Sequence, residues 1–196
     1  MGEIDTTSDQ SWEQIAARKR APRDQAVMKR YPGPADGLIL KGTYVRDIPY
    51  RCGLLSEEQL CITESSPTQL LRNLASNFWS AETVIRAFIA RATIAHHLTN
   101  PLTEVFFDCA VERARELDRI LRDTGRPVGP LHGLPTSLKD VMHISGQEST
   151  LGVVAWVGRI PSTEDRLVTK LHEAGAVFYC KTNVPQTLMS GECVNY

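Results

Sequence analysis

One lysine in this chain has the surroundings of a general base. Lys139 closes a short apolar run, Leu134-Pro-Thr-Ser-Leu-Lys, punctuated by Gly133 and Pro135, and Asp140 follows it directly. A lysine amine accepts a proton only when neutral, so desolvation or nearby positive charge must bring its pKa down from about 10.4. The end of a buried strand offers that setting, because open α/β sheets present functional groups where their strands end. A Lys-Asp pair at a strand end is also an ordinary solvated surface pair. The residues alone leave both roles open.

The other reactive side chains point to less. Ser137, Ser145, Ser149 and Ser190 lie near the lysine in sequence, but none has the G-x-S-x-G setting of an exposed nucleophile. His96-His97 lacks the H-E-x-x-H spacing that puts two metal ligands on one helix face and reads as a polar helix end. His132, between Leu131 and Gly133, is expected to make a backbone hydrogen bond, and His143 and His172 to lie at the surface. Neither glycine-rich nucleotide motif occurs. Cys52, Cys61, Cys109, Cys180 and Cys193 contain no C-x-x-C pair and are odd in number, which argues against a disulfide framework or a zinc site and for a reduced, cytoplasmic setting. No metal or cofactor is implied.

The elements that must hold Lys139 are those of an α/β chain. Ser11 to about Lys29 reads as a helix ending before Tyr31-Pro-Gly-Pro, with an extended, loop-rich connector over 31–53. Ser66-Pro67 and Ser80 are helix starts. Val84, Ile85, Phe88, Ile89 and Ala92 form the buried stripe of the second of these helices. A strand over 103–107 leads to a helix capped by Asp108 and ended by Gly125. Leu134 to Lys139 is a buried strand, Pro161 to Thr163 opens a helix bearing Leu167, Val168 and Leu171, and Ala176 to Cys180 is a second short apolar strand. Strand, crossover helix and strand imply a parallel pair. Asn183-Val-Pro-Gln begins a further helix with Pro185 in its first turn.

Composition narrows the partners. The 196 residues are 42% hydrophobic and 23% charged, a globular balance, and the net charge of −1 gives no broad reason to bind nucleic acid or an anionic membrane. The cluster Arg18, Lys19, Arg20, Arg23, Lys29 and Arg30 reads as the solvated face of the first helix. No apolar run approaches the roughly 18–20 residues of a membrane span.

Ordered motifs along nearly the whole chain carry a resemblance: Trp12-Glu-Gln-Ile-Ala-Ala-Arg-Lys-Arg, Gly53-Leu-Leu-Ser, Ile62-Thr-Glu-Ser, Leu98-Thr-Asn, Gly129-Pro-Leu-His-Gly-Leu-Pro, Ser137-Leu-Lys-Asp and Lys181-Thr-Asn-Val-Pro-Gln-Thr-Leu-Met. The chain resembles the amidase signature family, and within it the fungal acetamidase-like general amidases. The resemblance implies part of an α/β/α fold with a central mixed sheet, residues 1–53 forming an N-terminal helix and connector and 54–196 an incomplete amidase domain. It implies hydrolysis of amide carbon–nitrogen bonds, with Lys139 as the base that deprotonates a bridging cis-serine, which in turn activates a nucleophilic serine. It also suggests Met189 as a lining residue of the acyl pocket and Ser190 as a hydrogen-bonding neighbour of the lysine. Both family serines and the oxyanion donors belong to a Gly-Gly-Ser-Ser-Gly-Gly type segment that residues 1–196 do not contain. This chain holds no nucleophile, so the alternatives to an amidase are an inactive truncated fragment or pseudoenzyme, or a half-enzyme completed by another chain. A small amide is the expected substrate, and sheet edges left unpaired in such a piece would invite self-association.

Overall fold

The computed structural model describes residues 10–30 and 44–193. Seven helices and three strands alternate along them: α1 Trp12–Arg30, α2 Ile48–Arg51, α3 Glu57–Glu64, α4 Pro67–Ala75, α5 Ala81–Thr99, β1 Leu102–Val105, α6 Phe107–Thr124, β2 Pro135–Lys139, α7 Arg166–Glu173 and β3 Val177–Thr182. The sheet is mixed, in the order β1-β3-β2, with β1 antiparallel and β2 parallel to the central β3. The parallel pair is the one expected from the strand, helix, strand order.

Local chemistry accounts for most boundaries. The Ser66 and Ser80 side chains accept from the backbone N–H of Gln69 and Thr83, which caps α4 and α5. Asp118 of α6 adds its carboxylate to the N–H groups of Ala81 and Glu82 (2.6 and 3.0 Å), so one helix caps another. Gly125 ends α6 in the left-handed conformation. The core lies between α5, α6 and the sheet, with Val84, Ile85, Ala114, Leu117, Val177 and Cys180 at its centre. Ile48 and Leu55 meet Ala90 and Ile94 in a smaller cluster that joins residues on both sides of position 53.

Several expectations shift. Residues 44–53 are not extended: two short helical turns, Val45–Asp47 and Ile48–Arg51, occupy them, while 31–43 lie outside the described residues. α3 adds to the expected elements, and its Ser56 and Gln59 form a reciprocal capping box legible as S-x-x-Q. Asp108 is not a cap: α6 begins a residue earlier, and the Asp108 carboxylate pairs with Arg30 instead. α7 begins at Arg166 rather than near Thr163, and its N-cap Asp165 makes no cap bond because the carboxylate accepts from the His143 N–H (2.8 Å). The helix expected at Asn183 is one 3-10 turn, Gln186–Leu188, with Pro185 before it.

Two glycines bring the chain back to β2. A Cβ on Gly129 would lie 2.6 Å from the Ala174 carbonyl oxygen, and one on Gly175, at φ +96°, would lie 2.8 Å from the His132 Cα. The loop after α6 therefore packs backbone to backbone on the turn after α7, sealed by Leu131 N–H to Ala174 O and Gly133 N–H to Gly175 O, both 2.9 Å. This contact sets β2 beside β3.

Candidate functional site

β2 alternates as a strand must: Leu138 is buried, Ser137 and Lys139 are exposed, and Asp140, just past the strand, is buried again. Lys139 ends β2 opposite Thr182 of β3. Its carbonyl accepts from Met142 N–H (2.9 Å), and the next N–H, that of Asp140, donates to Thr182 O (3.0 Å). Its side chain has no hydrogen bond or ion pair among the described residues. Its placement at the strand end is as expected; the desolvated setting is not, since the side chain lies in solvent.

The Lys-Asp pair is not a surface pair either. Asp140 is 1% exposed and joins Lys181, not Lys139, at 3.2 Å; the Lys181 side chain is fully enclosed. The ammonium of Lys181 donates to Asp140 Oδ1, to the Glu148 carbonyl (2.8 Å) and to Ser149 Oγ (3.0 Å), while Thr150 Oγ1 donates to Asp140 Oδ2 (3.0 Å). Ser149 Oγ in turn donates a hydrogen bond to the Asp140 carbonyl (3.0 Å). Lys181 and Ser149 are thus at the distance of a serine–lysine dyad, but three acceptors occupy all three ammonium protons and a carboxylate balances the charge. Such an amine cannot take a serine proton. The spacing of 41 residues between Asp140 and Lys181 gave no sequence signal for this pair.

A second charged group flanks the first. Lys19 of α1 bridges Glu104 of β1 and Glu148, the latter at 2.9 Å. Burial opposes its charge, but the two carboxylates override burial and raise its pKa. Burial pushes the Glu104 carboxyl up against the pull of Lys19. Glu148 also resists burial, and the Gly158 N–H and Lys19 bring it below the usual carboxylate range, so Glu148 is the firmer anion of the two. Its side chain holds Lys19 and its carbonyl holds Lys181, which links α1 to the loop beside Lys139.

The remaining candidates stand apart. His132 is 2% exposed, and its Nδ1 accepts from Val128 N–H (3.1 Å), the backbone bond expected of it, leaving Nε2 buried without a partner among the described residues. Burial lowers its pKa; Asp118 pulls the other way and Arg113 adds to the lowering. His96 is buried rather than a solvated helix end, with Nδ1 accepting from Leu102 N–H (3.4 Å) and Nε2 3.6 Å from Asp24. His172 is exposed, and His143, half-buried, faces Asp165 at 3.9 Å. Met189 is 85% exposed, and Ser190 is exposed with its Oγ accepting from Glu192 N–H (3.2 Å). No hydrogen bond joins Ser190 to Lys139 among the described residues. Among the described residues no three His, Cys, Asp or Glu side chains gather as a metal site would require, and no helix is long and apolar enough to cross a membrane.

The comparisons bear on this arrangement. A family model described as Amidase matches residues 83–196. An acetamidase of Emericella nidulans is 43% identical over 189 residues, covering 95% of this chain and 33% of the relative. An amidase of Gibberella moniliformis is 44% identical over 192 residues, covering 94% and 36%. Among solved structures, a fatty acid amide hydrolase superposes with a TM-score of 0.79 at 33% identity over 92% of this chain and 32% of its own. The peptide amidase of Stenotrophomonas maltophilia superposes with a TM-score of 0.58 at 31% identity over 63% of this chain. The chain spans about a third of the length of the curated relatives it matches.

Proposed function

The chain belongs to the amidase family, and on that premise we propose that it supplies the base, Lys139, of a hydrolase that cleaves the carbon–nitrogen bond of a small amide. In this reading Lys139, brought to its neutral form when the segment bearing the serines covers it, takes the proton of a bridging cis-serine, which takes that of a nucleophilic serine. The nucleophile adds to the amide carbonyl, the nitrogen leaves with a proton returned along the same relay, and water releases the acyl group. Both serines and the oxyanion donors come from sequence outside residues 1–196.

The observation that supports this reading is the state of Lys139: its main chain is hydrogen-bonded into the end of a parallel strand while its side chain has no partner among the described residues. A base waiting for a serine from another segment has this form. The same exposure supports a second statement, that residues 1–196 alone do not turn over amides. Losing a single oxyanion donor costs about 10²–10³ in rate, and here the nucleophile is missing as well.

The test fuses residues 1–196 to the part of the Emericella nidulans acetamidase outside the match and follows acetamide hydrolysis. The fusion is expected to be active, Lys139→Ala to abolish the rate, and Lys139→Arg not to restore it, because a guanidinium stays protonated. An arginine variant with near-normal rate would show that Lys139 is not the base. Residues 1–196 alone are expected to leave a serine-directed fluorophosphonate probe unreacted, and specific labelling would overturn the second statement.

A further inference from the structure

A relay that passes a proton through a lysine amine works only if that amine is held in place, since a misplacement of about 1 Å can cost about 10²-fold in rate. Among the described residues Lys139 has no side-chain partner to hold it. What restrains it is the residue after it: Asp140 is bonded at its N–H to Thr182 O, at its carbonyl by Ser149 Oγ, at Oδ1 by Lys181 and at Oδ2 by Thr150. Every polar atom of Asp140 is therefore engaged. The partners come from β3 and from the loop 148–150, so β2, β3 and that loop meet at one point next to Lys139.

We propose that Asp140 and Lys181 are positioning residues for Lys139: their buried ion pair, completed by Thr150 and Ser149, fixes the main chain from which the base projects. The inference rests on Lys139 being the base. Neither residue acts on substrate, because both are enclosed and their polar atoms are saturated. Stability alone is a poor account of the pair, since buried ion pairs can often be replaced by apolar residues of like volume without loss. Its placement one residue from Lys139 is what the geometry explains.

The experiment measures amide hydrogen exchange on residues 1–196 at low concentration, and kcat and KM on the active fusion. Two variants are compared: Asp140→Asn, which leaves the Lys181 charge unbalanced, and the milder Thr150→Val, which removes one bond to the same carboxylate. Both are expected to speed exchange of the Asp140 and Met142 amides, by about tenfold or more in Asp140→Asn, with α5 and α6 amides unchanged, and to lower kcat with little change in KM. Exchange that rises evenly over the whole chain, or kcat per folded molecule that stays at the unsubstituted value, would overturn the proposal. A fusion that keeps its rate after Lys139→Ala overturns the base reading itself, whatever the exchange pattern.

Discussion

Lys139 and Lys181 lie on neighbouring strands and meet opposite surroundings because of register. In the β2–β3 pairing Leu138 stands opposite Lys181, and Lys139 opposite Thr182. Paired residues share a face, so Lys181 goes inside with Leu138, where Asp140 neutralises it, and Lys139 points out. The same inward face makes the buried histidines costly to charge. His96 and His132 both have lowered pKa values, with burial the leading cause. Below about pH 6.5 the unfolded chain binds protons at these histidines more readily than the fold does, so the stability they carry is complete above that pH and falls as pH drops through it. Thermal melts from pH 8 to 5 are expected to show the loss, and replacing both residues by Gln to shrink it. At Gly175 an alanine would face both a left-handed backbone and the His132 main chain at 2.8 Å. Gly175→Ala is expected to destabilise by at least about 1–3 kcal/mol in a denaturant titration.

Among the elements, α1 is unusual in how it docks. Only Val27 of its nineteen residues is buried, and Pro22 deprives the Arg18 carbonyl of its helical donor. Polar contacts hold it instead: Lys19 to Glu104 and Glu148, Arg23 Nη1 to the Leu102 carbonyl (2.8 Å), Arg30 to Asp108, and Asp24 facing His96. The basic cluster expected to be a solvated face is in large part the docking face, because the acidic partners come from β1, α6 and a loop far along the chain. A helix held this way is sensitive to salt, unlike one held by an apolar stripe. Raising ionic strength is expected to increase proteolysis within α1 before the rest of the chain loosens. Lys19→Met leaves two carboxylates without their cation and is expected to cost about 1–3 kcal/mol, read from the exchange protection of α1.

For the whole molecule, the order β1-β3-β2 decides which strand edges are open. β3 is flanked on both sides and has no open edge, and α1 lies along β1, its Arg23 occupying the Leu102 carbonyl. Among the described residues no strand pairs with the outer edge of β2, and Ile160, Leu167, Leu188 and Met189 are exposed. An open strand edge and exposed apolar side chains each favour association. Residues 1–196 are expected to self-associate with rising concentration in light scattering and to bind hydrophobic dyes. A monodisperse monomer with a sharp cooperative melt and no dye binding would refute this.

What could be read in advance is what short-range chemistry specifies. Ser66, Ser80 and Gly125 mark helix ends through bonds to atoms two to four residues away, the stripe Val84-Ile85-Phe88 marks a buried helix face, and the apolar run before Lys139 marks a strand with a base candidate at its tip. Those elements stand in the structure as the chain alone implied, and Lys139 ends its strand as expected, though in solvent rather than desolvated. The pairing of charges was not legible, because it depends on which strands become neighbours: Lys181 finds Asp140 across 41 residues, and Lys19 finds Glu148 across 129. A lysine in a sequence carries no mark of whether its register will turn it to water or to a carboxylate. Only the packing of β2 against β3, and of α1 on β1, made one lysine a buried counter-ion, another a clamp, and left the Lys139 side chain in solvent.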